Sequence, residues 1–443
     1  MPKGDTWKAG PRLGELVSIP LNPRSADHEA SMDTFVEVLL WLSLGLLGYA
    51  YAGYPVLLWC LSRVTAPLEI RSSGPSEWPT VSVVISAYNE EAVIGRRIEN
   101  LLEMDYPRER VQILIGSDGS TDATCDVVAR YRFAGLQLAA FPVRRGKASV
   151  LNDLVSRACG EFVVFTDAAT VFYPDALKEL MTGFQRYSSA SVIVGELEMR
   201  SSRSSRNLDG SYWRYELFVK QLESVIGGGL GASGTIYAVR RRDYCPLPSD
   251  TIADDLLEPL LIRLRTKGNV VLHATARAWQ LIPAQVVDEF HRRVRSGGGI
   301  AHALREARGL LLPQWGVVAL ALWSHKALRL AGPFLLLAAL GANLWLIGES
   351  FYQLLFAAQA AVYGLGAAAG KLRSVPLLGR AAYVARYFIV LNAALAVGCV
   401  KYALGMASPV WNRTVRTAEQ GTASQEQPRP ACRETTREHQ SAA

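Results

Sequence analysis

The sequence predicts an open α/β sheet domain combined with α-helical transmembrane segments. Between residues 81 and 165, short apolar runs alternate with stretches of helical spacing. Long, nearly uncharged apolar runs flank that region on both sides. Carboxylates follow the apolar strands at Asp118 and Asp167, with Asp255 further along, a placement that joins diphosphate or metal chemistry to a membrane setting.

Taken in order, residues 1–33 are polar and poor in periodic apolar residues, which predicts a disordered extension. From Phe35 to Leu61 the chain carries a single charge, Glu37, and Arg63 follows directly. This predicts a first transmembrane helix over 34–62 with a basic flank. The run is too long and begins too late for a cleavable signal.

The domain expected over 63–300 begins with Val81–Ser86, an apolar run suited to a parallel strand buried on both faces. Ile94, Ile98, Leu101 and Leu102 follow at helical spacing, then a second strand, Val111–Gly116. Ser120, Thr121 and Asp122 supply helix-starting residues. The pattern repeats through Leu136–Phe141, a helix from about Lys147 to Arg157, and the strand Phe162–Phe165. Such alternation places ligands at the C-terminal ends of the strands.

Further on, Leu310–Trp323 is apolar but holds Pro313 and stops at His325, Lys326 and Arg329, which predicts interfacial helices over 301–329. Leu330–Gly348, Phe351–Gly370 and about Tyr387–Leu404 predict three more spans over 330–405, and 406–443 reads as a disordered tail. Lysines and arginines beside the spans place the region from Arg63 to Arg329 in the cytoplasm. The net charge of +7 is modest and partly membrane-flanking, so it gives no argument for nucleic acid. The six cysteines lack the paired spacing of a zinc site or of a disulfide framework.

The strand ends carry the distinctive residues. Ala87-Tyr88-Asn89-Glu90-Glu91 follows the first strand and Ser117-Asp118-Gly119-Ser120 the second. A carboxylate there can hydrogen-bond a ribose or a base edge, and Gly119 lets backbone approach a ligand; each segment alone is equally a capped turn. Arg144-Arg145-Gly146-Lys147 opens the next helix, where a cation and free N–H groups meet a diphosphate or simply solvent. Asp167 ends a buried strand, which favours a divalent cation bridged to phosphate. Gly229, Gly231 and Gly234 match a dinucleotide fingerprint in the wrong context, with a strand-like Ile236–Val239 after them instead of a helix. Asp254 and Asp255 either cap a helix or, as neighbouring charges, raise one pKa and make a base. Phe290-His291-Arg292-Arg293-Val294-Arg295 is a lipid-facing basic helix or a diphosphate clamp.

In order, YNEE, SDGSTD, RRGK, FTDAAT, GASGT, IADD and RRVRSGG strongly resemble membrane-bound family 2 glycosyltransferases, the group of cellulose, chitin and hyaluronan synthases. The resemblance covers about Pro79–Gly299, and Ser324–Arg329 resembles the family's lead into its C-terminal spans. It implies a GT-A-like fold and inverting transfer of a hexosyl or N-acetylhexosaminyl group from a nucleotide-diphosphate sugar, with UDP as the implied nucleotide. By motif position Ala87, Tyr88, Glu90 and Asp118 hold the nucleoside, and Lys147 lies near the diphosphate with Arg292 and Arg293. Asp167 works with Mg²⁺ or Mn²⁺, Gly234 and Thr235 lie beside the acceptor, and Asp255, next to Asp254, is the general base.

Two positions depart from the family pattern. Ala169 replaces the second carboxylate of the DxD motif, so metal binding rests on Asp167 and substrate phosphates. Aligned on Arg293, the QxxRW motif of processive synthases has Phe290 for Gln and Val294 for Trp, which removes a stacking platform for the acceptor sugar. The expectation is a multi-pass cell-membrane enzyme with a cytoplasmic catalytic domain that extends a cell-surface or exported polysaccharide, with possible export or accessory subunits. Transfer to a polyprenyl phosphate or other lipid-linked acceptor is the alternative, and a non-catalytic scaffold or transporter is a third reading.

Overall fold

The computed structural model describes residues 23–65, 77–132, 135–200, 209–281, 286–372 and 374–410. Helix α1 (Pro23–Gly48) passes through a π-helical turn, Tyr49–Gly53, into α2 (Tyr54–Val64). The helix therefore begins ahead of residue 34, where a disordered extension was expected to end. Extending an existing helix adds a hydrogen bond per residue without a new nucleation cost, so the polar stretch joins the apolar one. The rest of that extension, and the tail beyond residue 410, lie outside the described residues.

The α/β domain then runs β1 (Val81–Ala87), α3 (Glu91–Leu102), β2 (Val111–Asp118), α4 (Thr124–Ala129), β3 (Leu136–Phe141), α5 (Lys147–Ser156) and β4 (Phe162–Asp167). It continues through β5 (Val171–Phe172), α6 (Ala176–Arg186), β6 (Ala190–Arg200), α7 (Asp209–Val225), β7 (Tyr237–Arg240), α8 (Asp254–Thr266), β8 (Asn269–Leu281) and α9 (Val286–Glu306). The strands form one mixed sheet in the order β3-β2-β1-β4-β7-β6-β8-β5. β3, β2, β1 and β4 are mutually parallel, and β7 runs antiparallel to both β4 and β6. Every residue of β1 is buried, as expected of a β-branched central strand covered on both faces. Register sets Ala87 beside Ser117, Ser86 beside Asp167 and Asp118 beside Phe141, so the loops leaving β1, β2, β3 and β4 gather at one edge.

Beyond α9 the chain makes short 3₁₀ turns and enters α10 (Val317–Ala321), which continues through a π-helical segment, Leu322–Ala327, into α11 (Leu328–Trp345). Helices α12 (Ser350–Ala367) and α13 (Pro376–Ala403) follow. The boundary expected at 329/330 thus falls inside a continuous helical run. His325 and Arg329, which read as an aqueous stop, are instead paired with Glu216 and Glu223 of α7. Four helical stretches, Ser31–Val64, Val317–Trp345, Ser350–Gly370 and Pro376–Ala403, are long and apolar enough to cross a membrane. A buried apolar cluster joins the first two of them to the α/β domain, bringing together Tyr54, Leu58, Val219, Leu257, Ala303 and Leu322. At a second seam α9 packs on α13 so closely that a Cβ on Gly398 would lie 2.0 Å from the Val294 carbonyl oxygen. Position 294, where a processive synthase has Trp, is here part of a backbone-to-backbone helix contact.

Candidate active site

The loops after β1 and β2 are laced together. Asn89, in the left-handed region at φ 53, donates its N–H to Ser120 Oγ at 3.1 Å and accepts from the Thr121 N–H at 2.8 Å. The Glu90 N–H donates to Thr124 Oγ1 at 2.8 Å, and the Glu90 carbonyl begins α3. Ala87 is buried, and the Tyr88 ring lies under the Arg144 guanidinium at 3.5 Å. Ala87, Tyr88 and Glu90 are thereby grouped beside the loop that opens α5.

Asp118 shapes that loop. Its carboxylate is buried and accepts the N–H groups of Arg145 at 2.7 Å and Gly146 at 2.9 Å. Sequence reasoning aimed this side chain at a nucleoside; in the structure both oxygens hold backbone. Gly119, expected to admit a ligand, adopts φ +67, and a Cβ there would meet the Arg144 nitrogen at 2.8 Å. The bare face of Gly119 admits the 144–146 loop, which the β2–β3 register brings alongside.

At the end of that loop Lys147 starts α5 and bridges two elements. Its Nζ lies 3.0 Å from Asp167 Oδ1, at the end of β4, and 3.0 Å from Asp254 Oδ2, at the start of α8. Burial by itself would lower the Lys147 pKa, but the charges of Asp167, Asp254 and Asp255 overcome it and hold the ammonium above its ordinary value. A cation is thus fixed among carboxylates at the strand ends. Among the described residues, no three His, Cys, Asp or Glu side chains converge as a metal site by themselves.

Asp255 is the next residue along α8. Its Oδ2 accepts the Gly234 N–H at 3.1 Å, while its carbonyl accepts the Ala232 N–H at 2.8 Å, so the glycine-rich segment wraps the start of α8. Thr235 follows, buried, with its N–H turned to the Ser233 carbonyl. Burial and then the neighbouring Asp254 raise the Asp255 pKa, while Lys147, the Gly234 N–H and Lys220 oppose the rise. This is the setting of a carboxylate tuned toward a general base.

Glu258, which sequence reasoning missed, lies one turn below Asp254 on α8. It is buried, accepts a hydrogen bond from Tyr237 Oη, and among the described residues its Oε1 has no hydrogen-bond partner. Burial pushes its pKa up to about 8. The spacing Asp254 to Glu258 is the only signal the sequence held, and i,i+4 acidic pairs are ordinary on exposed helices.

Arg292 and Arg293, expected to clamp a diphosphate, flank Trp213 of α7 with guanidinium-to-ring distances of 5.7 and 6.0 Å. Arg293 also donates to Tyr387 Oη of α13 at 3.4 Å. It lines a cavity of about 560 Å³ whose wall includes Asp255, Gly231 and Lys220 on one side and Tyr383, Phe388 and Leu391 of α13 on the other. Lys147 and Asp167 are not part of that wall. The structure therefore puts Arg293 on the helix-facing side of Asp255, away from the Lys147 cluster.

A doubly wound sheet with polar loops gathered at its strand ends, a cation fixed between two carboxylates and a tuned acid beside a cavity is the layout of a glycosyltransferase domain of the GT-A-like kind. The same architecture occurs in the mannosyltransferase PcManGT from Pyrobaculum calidifontis, solved with GDP-Man and Mn²⁺: TM-score 0.65 at 21% identity, covering 83% of this chain and 99% of that one. Residues 82–245 match the model of Glycosyl transferase family 2. The chain carries a family 2 glycosyltransferase domain. Among curated proteins it is 24% identical over 238 residues to poly-beta-1,6-N-acetyl-D-glucosamine synthase of Staphylococcus epidermidis, covering 51% of this chain and 56% of that protein. It is 29% identical over 214 residues to beta-monoglucosyldiacylglycerol synthase of Synechocystis sp., covering 45% and 43%. The chain thus spans about half the length of these relatives.

Proposed function

We propose that the protein transfers a sugar, with inversion, from a nucleotide-diphosphate sugar to an acceptor that reaches Asp255 from the membrane helices. The observation that carries this is the position of Asp255: its neighbour Asp254 is tied to Lys147, while Asp255 itself lines the cavity bounded by α13. Polysaccharide extension was the first expectation. The cavity favours the lipid-linked alternative, because its far wall is built from side chains of helices long enough to span a bilayer. Both product classes, a polysaccharide and a glycolipid, occur in the names of the curated relatives.

In the reaction the acceptor hydroxyl oxygen bonds the anomeric carbon and gives its proton to Asp255. The bond from that carbon to the diphosphate breaks, and its electron pair leaves with the nucleoside diphosphate. The 144–147 loop, with Lys147, receives the developing phosphate charge, and Ala87, Tyr88 and Glu90 lie beside it to hold the nucleoside. Asp167, whose Oδ1 meets Lys147, would hold a divalent cation through its other oxygen, with phosphate and water completing the shell. With Mg²⁺ or Mn²⁺ held there, charge on the departing diphosphate would be neutralised. The basic flank at Arg63, where the first stretch enters the α/β domain, supports a cytoplasmic catalytic domain in this reading.

The test uses the full chain in lipid nanodiscs with UDP- and GDP-sugars and Mg²⁺ or Mn²⁺, reading nucleoside diphosphate release. Release with one donor, lost on chelation and reduced roughly 100-fold or more in Asp255→Asn, is the expected outcome. Equal release by wild type and Asp255→Asn would reject the assignment of the base.

A further inference from the structure

Around the cavity the acidic side chains are already engaged. Glu216 pairs with Arg329 and with His325 Nε2, and Glu223 accepts from Tyr54 Oη at 2.8 Å and meets His325 Nδ1 at 2.7 Å. Arg329 also donates to Tyr215 Oη at 2.9 Å. Burial alone would push the Glu216 carboxyl up, but Arg329, His325 and Lys326 hold it well below its usual range.

The lysines of the same wall are differently placed. Among the described residues Lys326 makes no ion pair and no hydrogen bond, although it lies in the field of Glu216 and Glu223. Lys220 reaches only Ser233 Oγ, at the long distance of 3.4 Å. Arg293 adds a third cation to the wall. Most of the remaining lining is apolar or aromatic, from Tyr51 in the π-helical turn within the first span to Leu391 and Leu395 of α13. An ammonium in a largely apolar enclosure whose nearby carboxylates are already bonded to other side chains is costly unless a ligand supplies the charge.

We infer that this cavity binds a phosphate-bearing lipid, with the phosphate held by Lys326, Lys220 and Arg293, the acyl or prenyl chain along α13, and the acceptor hydroxyl turned to Asp255. This rests on the proposed transfer to a membrane-derived acceptor and narrows it. The cations match an anion in charge, and the spanning helices give its chain an exit into the bilayer. A neutral lipid such as diacylglycerol would leave Lys326 unmatched. A soluble, uncharged polysaccharide end could stack on the rings of the wall but would likewise leave the lysines unmatched.

The test is binding, read by the thermal shift of the full chain in a neutral maltoside micelle titrated with dihexanoylphosphatidate, with dihexanoylglycerol or with inorganic phosphate. Saturable stabilisation by the phosphatidate, at least roughly ten-fold tighter than by the glycerol, is expected, as a charge-assisted hydrogen bond requires. Lys326→Gln should weaken phosphatidate binding by a similar factor and Lys326→Arg should restore it. Equal binding of the two lipids overturns the proposal without any variant. Stabilisation by inorganic phosphate at matched concentration overturns the lipid source. Nucleoside diphosphate release by the same wild-type preparation, without added lipid, reports the glycosyltransferase reading separately, so either can fail alone.

Discussion

Lys147 Nζ lies 3.0 Å from Asp254 Oδ2, which ties the first residue of α5 to the first residue of α8. The element that opens on the Asp118-shaped loop is thereby fixed to the element that carries Asp255. A change at either end alters the field at the other.

Asp254→Asn tests that coupling. Asp254 raises the pKa of Asp255, and a base acts only when deprotonated, so the acid limb of kcat/KM sits above the ordinary carboxylate range in the wild type. Removing the charge, and freeing Lys147 toward Asp255, moves that limb to lower pH. A pH profile of donor consumption by the two proteins measures it, and an unmoved limb would reject Asp255 as the titrating group.

Glu258 gives a stability prediction of definite sign. Its folded-state pKa of about 8 stands above the unfolded value of about 4.5, so the folded chain holds a proton that the unfolded chain releases. The contribution is present in full below the unfolded pKa and is lost as pH rises through about 8. Glu258→Gln should flatten the fall in apparent Tm across that window, because the amide keeps the Tyr237 contact without titrating.

Gly119→Ala forces a Cβ against the Arg144 backbone at a φ of +67. The expected cost is about 1–3 kcal/mol of stability. Displacement of the 144–146 loop should also raise the KM for the nucleotide sugar. Thermal denaturation and donor titration of the same preparation separate the two effects.

Glu216→Ala removes the carboxylate that Arg329 and His325 share inside the protein. Breaking a buried pair from one side costs about 3–5 kcal/mol, so a substantial drop in apparent Tm in micelles is expected. A drop of the size seen for an exposed pair, under about 1 kcal/mol, would contradict the burial described for this network.

The parallel half of the sheet was legible because its strands are short and mostly apolar; β3 begins and ends where the pattern placed it, at Leu136 and Phe141. The antiparallel insertion of β7 between β4 and β6 was not, since pairing partners far apart in sequence leave no local periodicity. At the site, types of residue were readable but their partners were not. Asp118 was visible as a buried strand-end carboxylate, while its commitment to the backbone of Arg145 and Gly146 depends on a loop entering from β3. His325 and Arg329 read as the end of an apolar segment because the carboxylates that partner them lie 102 to 113 residues earlier. Glu258 carried no signal of its own, as nothing in a sequence marks an acid for burial.

The grip of Glu216 and Glu223 on the π-helical segment has a mechanical consequence. α7, which bears both, leads into the glycine segment that wraps Asp255, so the α/β domain cannot rise or tilt against the helices without breaking a buried ion pair. Asp255 is thereby held at a set height against the helices, so that under the proposed transfer to a lipid-linked acceptor the domain would act as a ruler measured from the acceptor's anchor. A product longer by one sugar presents its new hydroxyl beyond that height. On that proposal a single addition, instead of a run of additions, is the expected product of a domain mounted in this way.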